Sequence, residues 1–326
     1  MIQKLSTALA LCAVAAAVSL APAGAATYKL NVGTALTQDD PLFQGLLAFE
    51  QGVESRTNGE VDIVIFPALS LCEDNECIEQ ARAGANVAVV IDGGRLGSYV
   101  PGLAIVSAPY LAADLAEMKK IVTSSVFGEF NGELREKAGL DILSFNWWQG
   151  VRNMYTPTPV AKPADLDGIR CRVPDARLWI ETIDSMGAVA TPLAWTSVYT
   201  GIQQGVIDCA GAQTPAAWGI KLFEVTEHMA KTEHINLMTG LVTSAAWTDS
   251  LPAEFQQIVR EEALKGGDIG TQATADAIAD LEAKMAETGL TINADVDKAP
   301  FVEATAGVYE SMGLTDVRAR VYAEVR

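Results

Sequence analysis

Tyr28, Leu30 and Val32 alternate with Lys29 and Asn31, the period-two pattern of a strand with one buried face. Leu42, Leu46, Phe49 and Val53 then recur at helical spacing, and Asn58-Gly59 supplies the stop. Val61 to Phe66 reads as a second strand, halted by Pro67, which has no N–H to donate. Val87 to Ile91 is continuously apolar, as in a strand covered on both faces. A further strand spans Leu140 to Trp148. Strands alternating with helices predict a mainly parallel sheet with helices on both faces. There is no internal repeat and no low-complexity linker.

The pattern changes towards the C-terminus. Ser250 is placed to cap a helix, Pro252 falls in its first turn, and Ala-rich sequence continues to Gly289. At 1.5 Å per residue such a helix reaches roughly 55 Å, more than the width of one lobe. Gly266, Gly267 and Gly270 mark where it bends or breaks, and two ordinary helices parted at Gly266-Gly267 are the plainer reading. At the other end, Lys4 precedes an uncharged apolar run from Leu5 to Leu20, and Ala23-Gly-Ala25 offers small residues for cleavage. This is a secretory signal peptide over residues 1–26, not a membrane span. Leu11 is too large, in front of Cys12, for lipoprotein attachment. No later segment is long and apolar enough to cross a bilayer, so the mature protein is expected to be exported and soluble.

About 300 mature residues suit two lobes better than one simple core. Cleavage removes Lys4 and no acid, which leaves 22 of the 23 basic residues against 41 acidic ones, a net charge of −19. That surface repels nucleic acid and anionic lipid. Any site for an anion must then be a local concentration of arginine. Four cysteines remain: Cys72, Cys77, Cys171 and Cys209. In an oxidising compartment an even set reads as two disulfides. Cys72 and Cys77 bracket the tip Glu-Asp-Asn-Glu, a closure worth roughly 2 kcal/mol by chain entropy. Cys171 and Cys209 lie on two apparent strands that a bridge would tie together. A four-thiolate zinc site lacks any C-x-x-C pair; free buried thiols at Cys171 and Cys209 are the remaining alternative.

Chemistry concentrates in Gly168-Ile-Arg-Cys-Arg-Val-Pro174. Ile169, Cys171 and Val173 alternate with Arg170 and Arg172, so a strand here buries one face and carries both guanidiniums on the other. Pro174 ends the ladder and leaves Arg172 at a strand end, where its fork of donors suits a carboxylate. Signals for catalysis are thin. The only histidines, His228 and His234, fall in an apparent helix-to-strand connection. Gly93-Gly-Arg-Leu-Gly97 is neither a phosphate loop nor a dinucleotide fingerprint, and no G-x-S-x-G elbow occurs. Glu73, Asp74 and Glu76 lack the spacing and turn glycine of a calcium loop and read as a solvated acidic tip. No metal or cofactor is expected.

From Lys162 to Asp208 the wording is specific. It runs Lys162-Pro-Ala-Asp-Leu-Asp-Gly-Ile-Arg-Cys-Arg-Val-Pro174, then Met186-Gly-Ala-Val-Ala-Thr-Pro-Leu-Ala-Trp195 and Val198-Tyr-Thr-Gly-Ile-Gln-Gln-Gly-Val-Ile-Asp208. With Ser107-Ala-Pro-Tyr110, Gly150-Val-Arg152 and Ser250-Leu-Pro252, it resembles the periplasmic solute-binding subunits of tripartite ATP-independent periplasmic (TRAP) transporters, DctP type, over essentially the whole mature chain. The resemblance implies an α/β, two-lobed periplasmic binding protein fold with a long C-terminal helix spanning both lobes. Residues 27–150 and 238–280 would form lobe I, and 151–237 with 281–326 lobe II. It further implies a periplasmic, non-enzymatic monomer that captures a small organic acid, carboxylate or sulfonate, and delivers it to the TRAP membrane permease subunits.

By the same resemblance Arg172 pairs with the ligand carboxylate, Arg152 is a second cleft arginine and Trp195 an aromatic wall. Asp175 offers a polar contact, and Asp92 accepts from ligand hydroxyls or amines. Trp147 and Trp148 share a strand, so only one can face the cleft, and Trp148 is the candidate. Trp218 and Tyr199 are lesser candidates. Arg177 and Arg95 read equally well as surface salt bridges worth at most about 1 kcal/mol. Two departures stand out. After Asp208 the family usually continues Gly-Gln-Glu-Asn, whereas Cys209-Ala-Gly-Ala212 stands here, leaving Gln213 or Thr214 to substitute for the Asn. The Cys72–Cys77 stretch replaces the usual Gly-Gln-Leu-Gly. Both argue against assuming a C4-dicarboxylate. The competing classes are the binding protein of an ATP-dependent importer and a periplasmic enzyme. The R-V-P wording and the long helix oppose the first, and the scarcity of histidines and nucleophile motifs opposes the second.

Overall fold

Leu42, Leu46, Phe49 and Val53 are all fully buried, and they hold helix α1 (Phe43–Arg56) against strands β1 (Tyr28–Gly33) and β2 (Val61–Phe66). Asn58 and Gly59 end the turn after α1 with φ of 53° and 77°, a conformation glycine adopts without strain. The computed structural model describes residues 26–326, so residues 1–25 of the expected signal peptide, Cys12 among them, lie outside the described residues. Helix α2 (Asp74–Arg82) leads to β3 (Val87–Asp92), buried along its whole length, and β2 and β3 flank β1 in parallel.

Two strands of 17 residues each, β4 (Leu140–Thr156) and, later in the chain, β8 (His228–Ser244), run antiparallel through the middle of the sheet. Between them in sequence come β5 (Arg170–Val173), β6 (Val189–Pro192) and β7 (Cys209–Gln213). A short β9 (Thr291–Asn293) adds to β8. The order is β2-β1-β3-β8-β4-β7-β5-β6. The two long strands change partners midway. Up to Trp148, β4 pairs with the end of β8 that β3 also edges, Asp92 facing Thr239. Past Gly150, β4 pairs with residues 228–237 and takes β7 on its other edge, Arg152 facing Gln213.

The sheet is therefore mixed, parallel at its two ends and antiparallel along β4 and β8, not mainly parallel. The expectation of a strand ending at Trp148 stops at Gln149-Gly150, where the apolar run breaks. The backbone continues through that point by a register shift, with Gly150 at φ 111°. Both histidines lie on β8, not in a helix-to-strand connection.

The long helix, Ala253–Glu287, is one uninterrupted element of 35 residues, about 53 Å in length. Its glycines are points of close approach, not breaks. A Cβ on Gly266 would stand 2.6 Å from the Gly45 carbonyl oxygen of α1 and 3.0 Å from Trp147. Pro252, not Ser250, stands at the cap; Ser250 ends the preceding helix Ala245–Ser250, where its hydroxyl donates to the Trp247 carbonyl at 2.6 Å. The last helices pack back against the first part of the chain. Val308, Tyr309, Leu314 and Val321 share a core with Leu103, Val106 and Ile121, and the Tyr309 hydroxyl donates to the Pro109 carbonyl at 2.7 Å. Both cysteine pairs are disulfides, Cys72–Cys77 and Cys171–Cys209, the second joining facing residues of β5 and β7. No described helix is long and apolar enough to cross a membrane.

Candidate ligand-binding site

Arg170 and Arg172 project from the same face of β5 but meet different surroundings. Arg170 stays exposed and pairs with Asp208 at 2.6 Å. Arg172, two residues along, is only 3 % exposed. Its Nε donates to the Leu193 carbonyl at 2.7 Å, and its guanidinium lies 5.2 Å from the Trp195 ring centroid. Arg152 reaches the same space from β4, immediately past the shift at Gly150. Its Nη1 donates to Gln213 Oε1 at 3.3 Å, its Nη2 to the Gly211 carbonyl, and its guanidinium sits 4.8 Å from the Trp179 ring. Arg152 Nε is buried without a partner.

A third arginine arrives from the other side. Asp92 ends β3 and caps the short helix α3 (Gly93–Leu96), accepting from the Arg95 backbone N–H at 3.0 Å. The Arg95 side chain folds back to pair with Asp92 and with Asp74 of α2, the latter at 2.9 Å. The Trp179 indole N–H donates to Asp92 Oδ1 at 2.9 Å. Gly94 leaves room for that indole, since a Cβ there would lie 2.7 Å from the ring nitrogen.

These side chains, with Gln149, Trp195 and Thr239, line a single cavity. Past Arg172 and Trp195 a second space opens outward between Glu73, Asn75 and Asp175. Burial, then repulsion from Arg95 and Arg152, pulls the Arg172 pKa well below its usual value. Burial likewise lowers Arg152 to about 10, against the pull of Asp92. A guanidinium does not give up its proton in a protein, so both charges persist in poorly solvated surroundings. An anion between them relieves the cost of that burial. His234, buried beside Arg152 with its Nδ1 2.8 Å from the Thr232 hydroxyl, is pushed down to about 3 by burial and then by Arg152, and stays neutral.

Of the residues singled out in the sequence, Arg172, Arg152, Trp195, Asp92 and Gln213 meet in this cavity, and Asp175 stands exposed at its mouth. Trp148 does not face it. Its indole N–H donates to Asn236 Oδ1 and its ring joins the core beside Phe145. Trp147 packs under the long helix and donates to Ser144 Oγ at 2.8 Å. The shift at Gly150 instead turns Gln149 inward, and Trp179 supplies the second aromatic wall. Trp218 stacks on Phe223 and Tyr199 bonds Glu224, both outside the cavity lining. Gln213 takes its place by donating to Gln149 Oε1 at 2.6 Å, while Thr214 turns to Glu282.

Arg95 and Asp74 were missed. They are a buried pair in the site, not a surface salt bridge and a solvated tip. One signal for Arg95 was available: Asp92 before Gly93-Gly94 is a helix cap, which fixes Arg95 one turn from a strand end.

The family model for bacterial extracellular solute-binding protein, family 7 (DctP), matches residues 32–316. A TRAP periplasmic solute-binding protein from Escherichia fergusonii, solved as an apo open structure, is 46% identical over 91% of this chain and 99% of its own, with a TM-score of 0.80. One from Actinobacillus succinogenes 130Z with bound L-galactonate is 27% identical over 91% of this chain and 99% of its own, with a TM-score of 0.88. The ectoine/5-hydroxyectoine-binding periplasmic protein UehA of Ruegeria pomeroyi is 30% identical over 90% of this chain and 88% of its own. Since the family model matches residues 32–316, the chain belongs to the DctP family of bacterial extracellular solute-binding proteins.

Proposed function

We propose that this chain is the periplasmic solute-binding subunit of a TRAP transporter, that it captures a small organic acid, carboxylate or sulfonate, in the cavity around Arg172, and that it passes the ligand unchanged to the membrane permease. The observation that carries this reading is the convergence of buried Arg152 and Arg172 and largely buried Arg95 on one cavity in a chain of net charge −18. So concentrated a positive charge inside an acidic protein has a purpose if an anion completes it. Relatives point the same way, with bound L-galactonate in one and L-fuconate in another.

Capture works by closure of two lobes. The change of partners along β4 and β8, between Trp148 and Gly150 and between Leu237 and Thr239, supports a division there. Residues 27–150 with 238–280 form one lobe and 151–237 the core of the other, with the helices from Val308 onward returning to the first. Several contacts already join the two parts, among them Trp179 to Asp92 and Asn75 Nδ2 to the Asp175 carbonyl at 3.3 Å. The chain superposes better on the L-galactonate complex than on the open apo relative, although the latter is far more similar in sequence. That favours a closed arrangement of the lobes. A thermal-shift screen of carboxylates, sugar acids and sulfonates tests the reading. A ligand at about 100 times its dissociation constant adds roughly 2.7 kcal/mol. Stabilisation by neutral sugars or amines alone, with none by any acid, would refute it.

A further inference from the structure

We infer that the cavity selects a small monoanion bearing hydroxyl donors over a dianion, and that Asp74 is the residue that reads those donors. This rests on the proposed capture of an organic acid and narrows it.

The charge balance comes first. Five charged side chains line the cavity: Arg95, Arg152 and Arg172 against Asp74 and Asp92. All five are largely buried, so water does little to screen them. Their sum is +1. One negative charge brings the closed site to neutrality, and two leave it with an uncompensated charge in a poorly solvated place, which is costly. Glu73 and Asp175 at the mouth are exposed and carry the same sign as the lining carboxylates, which adds to the bias against a second ligand carboxylate.

Free acceptors come second. Asp92 is spoken for: Oδ1 takes the Arg95 N–H and the Trp179 indole, and Oδ2 takes the Arg95 guanidinium. It holds the site together and has little left for a ligand. Asp74 differs. Its Oδ2 pairs with Arg95, but its Oδ1 is buried with no hydrogen-bond partner in the protein. An ionised carboxylate only accepts, so the part of the ligand beside Asp74 must donate. A hydroxyl does so without altering the ligand's single negative charge, whereas a second carboxylate meets like charge. Asp74 is held where it is by its position two residues after Cys72, in a helix that the Cys72–Cys77 disulfide closes at the start. The sequence feature that departs from the family wording thus places the discriminating group.

The test uses matched acids on the mature protein, by thermal shift and calorimetry. The sets are hydroxylated monoacids of three to seven carbons, the dicarboxylates of the same skeletons, and their donor-free counterparts. The tightest ligand is expected to be a donor-bearing monoanion, with its dicarboxylate and its donor-free analogue each at least about tenfold weaker. Asp74→Asn should shift the ratio of dicarboxylate to monoacid affinity at least about tenfold towards the dicarboxylate. The wild-type comparison decides the matter even if that variant does not fold. A dicarboxylate that binds as tightly as its monoacid, with Arg172→Ala abolishing both, overturns the inference and leaves the capture of organic acids standing. If no acid of any set binds, both fall together.

Discussion

Replacing Arg172 by alanine separates binding from stability more cleanly than any other change in the site. In the wild type the guanidinium is 3 % exposed, crowded by Arg95 and Arg152, and held by one bond to the Leu193 carbonyl and by the face of Trp195. Two effects oppose each other in the unliganded protein. Losing the Leu193 bond costs about 1 kcal/mol, while removing a buried charge from beside two like charges returns a comparable amount. The unliganded melting temperature should therefore change little. With ligand the terms no longer cancel, because the acid group loses its buried partner at a cost of roughly 2–5 kcal/mol, about 30- to 5,000-fold in affinity. At a ligand concentration about 100 times the wild-type dissociation constant, stabilisation should fall from roughly 2.7 kcal/mol to below about 0.9. Calorimetry and thermal melts of both proteins, with and without ligand, read the two effects separately. Wild-type affinity in a folded variant, or a collapse of the unliganded protein, refutes the reasoning.

Three further outcomes follow from the structure. Burial raises the Asp40 pKa from 3.8 to about 6, more than its bond from the Leu42 N–H can offset. The folded state therefore favours the protonated form, and stability should decline by about 3 kcal/mol as pH rises from about 4 to above 6; melts of wild type and Asp40→Asn across pH 4–7 should diverge in favour of the variant, and parallel curves would count against it. Gly266→Ala places a methyl 2.6 Å from the Gly45 carbonyl oxygen, forcing the long helix away from α1 at a cost of about 1–3 kcal/mol, visible as a lower denaturation midpoint. Saturating ligand should reduce the radius of gyration by small-angle scattering, since only a closed state contacts ligand from both lobes, and a protein that is open when free and stays open with ligand bound would contradict closure.

Much of the architecture was readable because local pattern and tertiary role coincide. The stripe Leu42–Val53 and the apolar run Val87–Ile91 are buried as their periodicity requires. Arg172 was readable because a strand that alternates Ile169, Cys171 and Val173 with two arginines and ends at Pro174 has one place to put a guanidinium. The lost parts depend on distant packing. Nothing local tells that β4 continues past Gly150, since the continuation is stabilised by β8 and β7, some 60–90 residues away. Trp148 was misassigned for the same reason: the register shift that turns Gln149 to the cavity is set by β8. Gly266, Gly267 and Gly270 look like breaks in one dimension, and only α1 and Asn146 across the interface explain them. Asp74 and Arg95 each resemble a surface charge until the fold sets them 2.9 Å apart.

The most direct test is a crystal structure of the protein with the tightest acid found in the screen. The account predicts the acid group within hydrogen-bond reach of the Arg172 guanidinium, with Arg152 close by, Trp195 and Trp179 against the carbon skeleton, and a ligand donor on Asp74. A ligand lying elsewhere, or one in this cavity that turns an apolar end towards Arg172, would contradict it.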